Sequence, residues 1–138
     1  MDGQLRLENL LRSGALKVEP HDAQECAGLM RSATARLADA RIPRLSFASR
    51  FDLAHNAAHG LALCALRLRG YRSQQRYLVF QCLELTAGLS RLQVRLFALC
   101  HERRNLAEYE GYMEEDEALF DELLANTQHL LQQVMARL

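Results

Sequence analysis

Neither sign of charge is in excess: seventeen Lys and Arg residues balance seventeen Asp and Glu. The molecule as a whole therefore offers no non-specific attraction to nucleic acid or to a membrane surface. No apolar run approaches the roughly 20 residues of a membrane span, and the opening MDGQLRLENLL lacks the basic-then-apolar design of a signal peptide. The cytoplasm is the expected compartment. Cys26, Cys64, Cys82 and Cys100 include no CxxC pair, and each lies in an apolar helical run. That pattern predicts buried free thiols in a reducing compartment rather than disulfides or a zinc knuckle. No stretch alternates with period two between turn residues, so no sheet is expected. There is no internal repeat or low-complexity tract.

What is present is the profile of one compact domain, residues 1–138, with 49% hydrophobic and 25% charged residues. The balanced total hides an asymmetry. Arg31 to Arg104 holds thirteen basic residues against four acidic ones, whereas Glu108 to Glu122 holds eight acids and no base. The acidic run reads as a solvated helix start. Sixteen of the basic residues are arginine and only Lys17 is lysine; a GC-rich coding background produces that bias as readily as phosphate recognition does.

Helical punctuation covers the chain. Asp2 is placed to cap an N-terminal arm, 1–14, that ends at Gly14 and buries Leu5, Leu7, Leu10 and Leu11 on one face. Pro20 suits the first turn of a helix over 20–42, which must stop before Pro43 and carries the stripe Cys26, Leu29, Met30, Ala33 and Leu37. Ser46 or Ser49 caps a helix over 46–69, with Gly70 as its left-handed stop. Ser73 opens a helix over 73–89. Ser90 with Gln93 forms a capping-box pattern at the head of 90–110, closed by Gly111. The acids before Leu119 favour the positive end of a last helix, 114–137. Short connections make the neighbours antiparallel, so the expected fold is all-α: an up-and-down helical bundle of four to five core helices plus a short N-terminal helix.

Two helices carry the candidate chemistry. FDLAHNAAHGLALCALRL, residues 51–68, is apolar nearly all round and interrupted only by Asp52, His55, Asn56 and His59, which marks a central helix. Gly60 lets a neighbouring backbone come close. His55 and His59 stand at i, i+4, a spacing at which two imidazoles can share a metal ion, but a third ligand would have to come from His101 or Glu102 and the zincin glutamate is missing. The expectation is a pair of hydrogen-bonded histidines at a polar seam, with no metal and no cofactor. In 90–110, Leu92, Leu96, Leu99 and Leu106 share one side, assigned to the core. The opposite side carries Val94, Phe97 and Ala98, then His101, Arg104, Asn105, Glu108 and Tyr109. A helix apolar on both sides is either wedged at the centre or covered by a second subunit; the second option puts Arg104 beside its symmetry mate in a cleft of paired arginines.

RRNLAEYEG, after a basic helix and with GYRSQQRYLVFQCLELT upstream, resembles the HEPN family, the small helical domains of higher eukaryotes and prokaryotes that bind nucleotides. The family signature is an arginine, four to six residues, then a histidine, with a polar residue often directly after the arginine. Arg104 and Asn105 match; Tyr109 stands where the histidine should be. The likeness covers Phe51 to Leu138. It implies a homodimer whose motif helices meet. In active members a metal-independent endoribonuclease site uses the arginine to stabilise the phosphorane and the histidine to help activate the ribose 2′-hydroxyl.

Tyr109, with an ordinary pKa of about 10, is a poor general base, and on a regular helix it diverges from Arg104 by about 140°. His101, one turn before Arg104, is the possible substitute. The expectation is therefore a non-cleaving homodimer that binds nucleotide or RNA through Arg104, Asn105, Tyr109, Arg103 and His101, with Arg104, His101 and Tyr109 as the residues to test for catalysis. Other branches of the family imply alternatives: the antidote or target of a minimal nucleotidyltransferase in a toxin–antitoxin pair, with Tyr109 accepting AMP, or a metal-independent endoribonuclease. A purely structural helical protein, in which Arg104 and Glu108 are only an i, i+4 pair, stays open as well.

Overall fold

The computed structural model describes residues 3–138; the cap expected of Asp2 lies outside the described residues. Its elements are α1 (Gly3–Arg12), β1 (Lys17–Val18), α2 (Ala23–Asp39), α3 (Phe47–Leu68), β2 (Tyr71–Arg72), α4 (Arg76–Gln81), α5 (Leu83–Thr86), α6 (Arg91–Glu110) and α7 (Glu117–Met135). The architecture is the expected helical bundle. Among the described residues no helix is long and apolar enough to cross a membrane.

Local chemistry sets most of the ends. The Ser46 hydroxyl accepts from the Ser49 backbone N–H at 3.2 Å, and α3 runs out at Gly70, whose φ of 84° is open to glycine at no steric cost. At α6 the capping box is complete: Ser90 Oγ accepts from Gln93 N at 3.2 Å while Gln93 Oε1 accepts from Ser90 N at 3.0 Å. Asp116 caps α7 through the Leu119 N–H. Ser90→Ala should cost about 1 kcal/mol of stability, read as a lower urea midpoint at unchanged slope.

Two helix starts lie three residues later than expected. α4 begins at Arg76 rather than 73, where the Ser73 hydroxyl accepts from the Gln75 N–H and caps no helix, and α7 begins at Glu117 rather than 114, where Asp116 is the cap. Three further boundaries also depart from the sequence expectation. The second helix begins at Ala23 rather than at Pro20, because the Asp22 carboxylate accepts from the N–H groups of Gln24 and Glu25 (2.9 and 3.3 Å) while the Pro20 carbonyl is taken by Arg67. The helix expected over 73–89 breaks in two. At Cys82 the backbone flattens (φ −76°, ψ −12°), and its carbonyl receives the N–H groups of Leu85 and Thr86 and the Thr86 hydroxyl together. Finally, a two-residue antiparallel ladder pairs Lys17 with Arg72 and Val18 with Tyr71. Two residues are too few to show an alternation, so no pattern announced it.

The core forms around α3, whose Phe51, Ala54, Ala57, Ala58, Leu61, Ala62, Cys64, Ala65 and Leu66 are all buried. α2 lies along it, with the Leu29 carbonyl and the Ala33 side chain against Gly60. Phe47 and Phe51 meet Phe120 of α7, with ring centroids 5.7 to 6.4 Å apart, and Arg50 lies over both Phe47 and Phe120.

Near the end of α3, Arg67 is only 1% exposed. Its guanidinium donates to the Glu25 carboxylate (2.6 Å) and to the carbonyls of Glu19 (2.8 Å), Pro20 (2.7 Å) and Tyr71 (3.3 Å). Arg72 closes the network through Glu19 and Glu25.

The face of α6 that enters the core is the reverse of the one expected. Val94, Phe97 and Cys100 are buried, while Leu92 is 76% exposed, Leu99 40% and Leu106 52%. Both faces are apolar in their first half, so periodicity alone could not choose. The choice follows the polar half of the helix: only with Phe97 inward do His101 and Arg104 reach the polar side chains of α3.

Candidate functional site

Asp52, His55, Asn56 and His59 fall at i, i+3, i+4 and i+7 on α3, which puts all four on one face of an otherwise apolar rod. That face meets Arg76 and Phe80 of α4 and His101 and Arg104 of α6, while Tyr77 and Asn105 join the cluster through His101 and Phe97 through Phe80. The floor is aromatic. Phe80 stacks on Phe97 (5.6 Å, 8°) and lies 5.5 Å from the His55 ring, 5.9 Å from His59 and 6.2 Å from His101. His55 stacks on His101 at 5.5 Å and 18°. The hydrogen-bonded His55–His59 pair expected from the sequence does not form: both rings pack on Phe80, and neither nitrogen of His55 has a hydrogen-bond partner among the described residues.

Above this floor the charges are arranged in a chain. Arg104 Nε donates to Asp52 Oδ1 at 2.8 Å, and Nη2 is 3.0 Å from Glu108 Oε1. Asn56 donates to Asp52 Oδ2 at 3.1 Å and accepts from Arg76 Nη1 at 2.9 Å. Arg76 makes no ion pair among the described residues and keeps only this amide as partner. The Asn105 amide and His101 Nε2 are hydrogen-bonded at 3.1 Å, and the other ring nitrogen, Nδ1, is buried with no partner among the described residues. Arg104 and Asp52 also wall an adjoining groove of about 360 Å³ that runs to Glu108, Tyr112 and Met113.

The electrostatics follow from burial beside two guanidinium groups. Desolvation, then the Arg104 charge, pushes His55 from 6.5 down to about 3. Desolvation and then Arg76 take His59 down to about 4. Burial and Arg104 also lower His101, and burial followed by Arg104 lowers Arg76. At neutral pH the seam therefore presents neutral imidazoles and two cations, one of them without an ion pair among the described residues. Such a set can hold an anion and offer hydrogen bonds to it, and it lacks a protonated imidazole to act as general acid.

All four cysteines are buried and free. Burial raises Cys64 to about 12, Cys82 to about 11 and Cys100 to about 12, so these three carry no thiolate for nucleophilic chemistry. Among the described residues no group of three or more His, Cys, Asp or Glu side chains is placed to hold a metal ion.

Of the residues singled out in the sequence, the structure brings together His101, Arg104 and Asn105. Arg103 points elsewhere, toward Asp116 at 3.6 Å, and lines a separate cavity over Phe47 and Phe51. Tyr109 is 92% exposed and apart from the seam. The residues missed are Asp52 and Asn56 as partners of the arginines, and Arg76 and Tyr77 from the short helix. The i, i+3, i+4, i+7 pattern of α3 was the signal for the first pair; nothing in the sequence tied Arg76 to Arg104. No protein-family model matches the chain, and neither does any curated protein or solved structure.

Proposed function

We propose that the chain is a HEPN-like nucleotide- or RNA-binding domain that works as a homodimer and holds phosphate without cleaving it. The observation that carries this reading is the convergence of Arg76 and Arg104, from two different helices, on one polar seam in which Arg76 makes no ion pair among the described residues. Phosphate would take the place of the neutral Asn56 amide on Arg76, exchanging a neutral acceptor for an anionic one, and Tyr77, half-exposed beside His101, offers a base a stacking surface. The absence of cleavage follows from Tyr109, which stands at the motif position of the histidine yet turns away from Arg104.

The test is fluorescence anisotropy of a short labelled RNA and of a labelled nucleotide, with the RNA length checked on a gel. Intact RNA should be retained. Arg76→Ala should weaken binding by roughly 10- to 100-fold and flatten the dependence on salt by about one phosphate contact, with the helical circular dichroism unchanged. Undiminished binding in both Arg76→Ala and Arg104→Ala would sink the reading, leaving a structural helical protein.

Two observations favour alternatives at the same test. His101 is neutral, one turn from Arg104 and oriented by Asn105. RNA shortened in EDTA, and spared by His101→Ala, would make the chain a metal-independent endoribonuclease. The Tyr109 hydroxyl is open to a partner enzyme; a nucleotidyltransferase that forms a tyrosyl–AMP ester there, releasing pyrophosphate from ATP, would make it an antidote or target protein.

A further inference from the structure

The exposed face of α6 carries, in order, Leu92, Arg95, Leu99, Glu102, Leu106 and Tyr109, spaced alternately by three and four residues. This is the seam spacing of a helix that packs against another helix. Nothing among the described residues covers it: Leu92, Leu99 and Leu106 are the exposed leucines of α6, and neither Arg95 nor Glu102 has an ion-pair partner there. Leu92, Leu96 and Leu99 also wall a groove of about 400 Å³ with Glu122 and Asn126 of α7.

We infer that this stripe is the contact with a second copy of the chain, α6 packed antiparallel on α6 about a two-fold axis through Leu99. From Leu92 to Leu106 the stripe reads the same in reverse except that its charges exchange. With Leu99 on the axis, Leu92 meets Leu106 of the second copy, and Leu106 meets its Leu92. Arg95 comes within one residue, about 1.5 Å of helix rise, of Glu102 of the second copy, and the symmetry makes that ion pair twice. Parallel pairing would instead set Arg95 beside Arg95 and Glu102 beside Glu102. The contact rests on the homodimer proposed above and fixes its geometry: Arg104 lies about 140° around the helix from Leu99, so the two seams face away from the interface and remain open, rather than meeting in a cleft of paired arginines.

Sedimentation across a concentration series tests the contact. The wild-type chain should reach twice its 15.7 kDa mass, and Leu99→Arg, which places two like charges on the axis, should raise the dimer dissociation constant at least roughly 100-fold with unchanged helical circular dichroism. Arg95→Glu or Glu102→Arg alone should weaken the dimer, while the double variant Arg95→Glu/Glu102→Arg should restore it, an outcome that only the antiparallel arrangement gives. A chain that stays monomeric at about 100 µM, a dimer that ignores Leu99→Arg, or a double variant no better than the singles overturns the inference. RNA retention measured on the same samples separates the two proposals. A dimer that responds as stated yet binds no RNA leaves this interface standing and removes only the binding function.

Discussion

Between neutral pH and about pH 4.5 the folded chain should lose roughly 4 kcal/mol of stability, before most carboxylates have titrated. Two histidines drive the loss. His55, 1% exposed, is held down to about 3, and His59 to about 4, each from an ordinary 6.5. Because the folded values lie below the unfolded one, the unfolded chain binds the extra protons. The stabilisation is complete above pH 6.5 and drains as pH falls toward 4 and 3, at up to about 1.4 kcal/mol per pH unit for each ring. His59 is partly accessible and contributes less than His55.

The opposing charges come from two helices: Arg104 and His101 from α6 and Arg76 from α4. Glu25, whose carboxyl is lowered chiefly by its hydrogen bond to Arg67, adds a further loss at still lower pH. Urea titrations followed at 222 nm from about pH 7 to 4.5 measure the effect. His55→Phe should flatten the slope by about half, since a phenyl ring fits on Phe80 and His101 and takes no proton. It should keep or raise stability at pH 7, because the imidazole it replaces has two buried nitrogens with no partner. A stability that stays flat down to pH 4.5 in the wild type would mean that water or a counterion reaches His55 and the seam is open.

Arg67→Met should cost about 3 kcal/mol and lower the thermal midpoint by roughly 10 °C. The side chain is buried, and its guanidinium is the common partner of Glu25 and of three carbonyls on the segment from Glu19 to Tyr71. Methionine fills much of the volume, so the loss reports the severed bonds: the carbonyls of Glu19, Pro20 and Tyr71 lose a donor, and Glu25 keeps only Arg72. Arg67→Lys separates charge from geometry. One ammonium cannot span Glu25, Pro20 and Tyr71 at once, so it should recover less than half of the loss. Full recovery by lysine would show that the network needs only a positive charge. Calorimetry on the three proteins decides between these outcomes.

Much of the fold was legible because its determinants are local. A cap is a hydrogen bond between residues three apart, so Ser46, Ser90 with Gln93, and the stops at Gly70 and Gly111 could be read directly from the chain. The apolar character of residues 51–68 marked α3 as central for a similar reason, since a rod apolar all round has nowhere to go but inside. The candidate site was half legible. Arg104, His101 and Asn105 share one helix, and their grouping needs only its 100° step. Their partners Asp52, Asn56 and Arg76 lie twenty or more residues away, and no motif of the chain links them.

The sequence by itself determined the helical class, the caps at Ser46 and Ser90 and the stops at Gly70 and Gly111, since each depends on a residue and its near neighbours along the chain. Only the tertiary structure decided which face of α6 is inside, that Arg67 is buried, and that Arg104 turns toward Asp52. Burial is a relation between surfaces, and two faces of similar apolarity are separated only by what lies opposite them. Here the polar half of α6 found its counter-charges on α3, and the leucines were left on the outside.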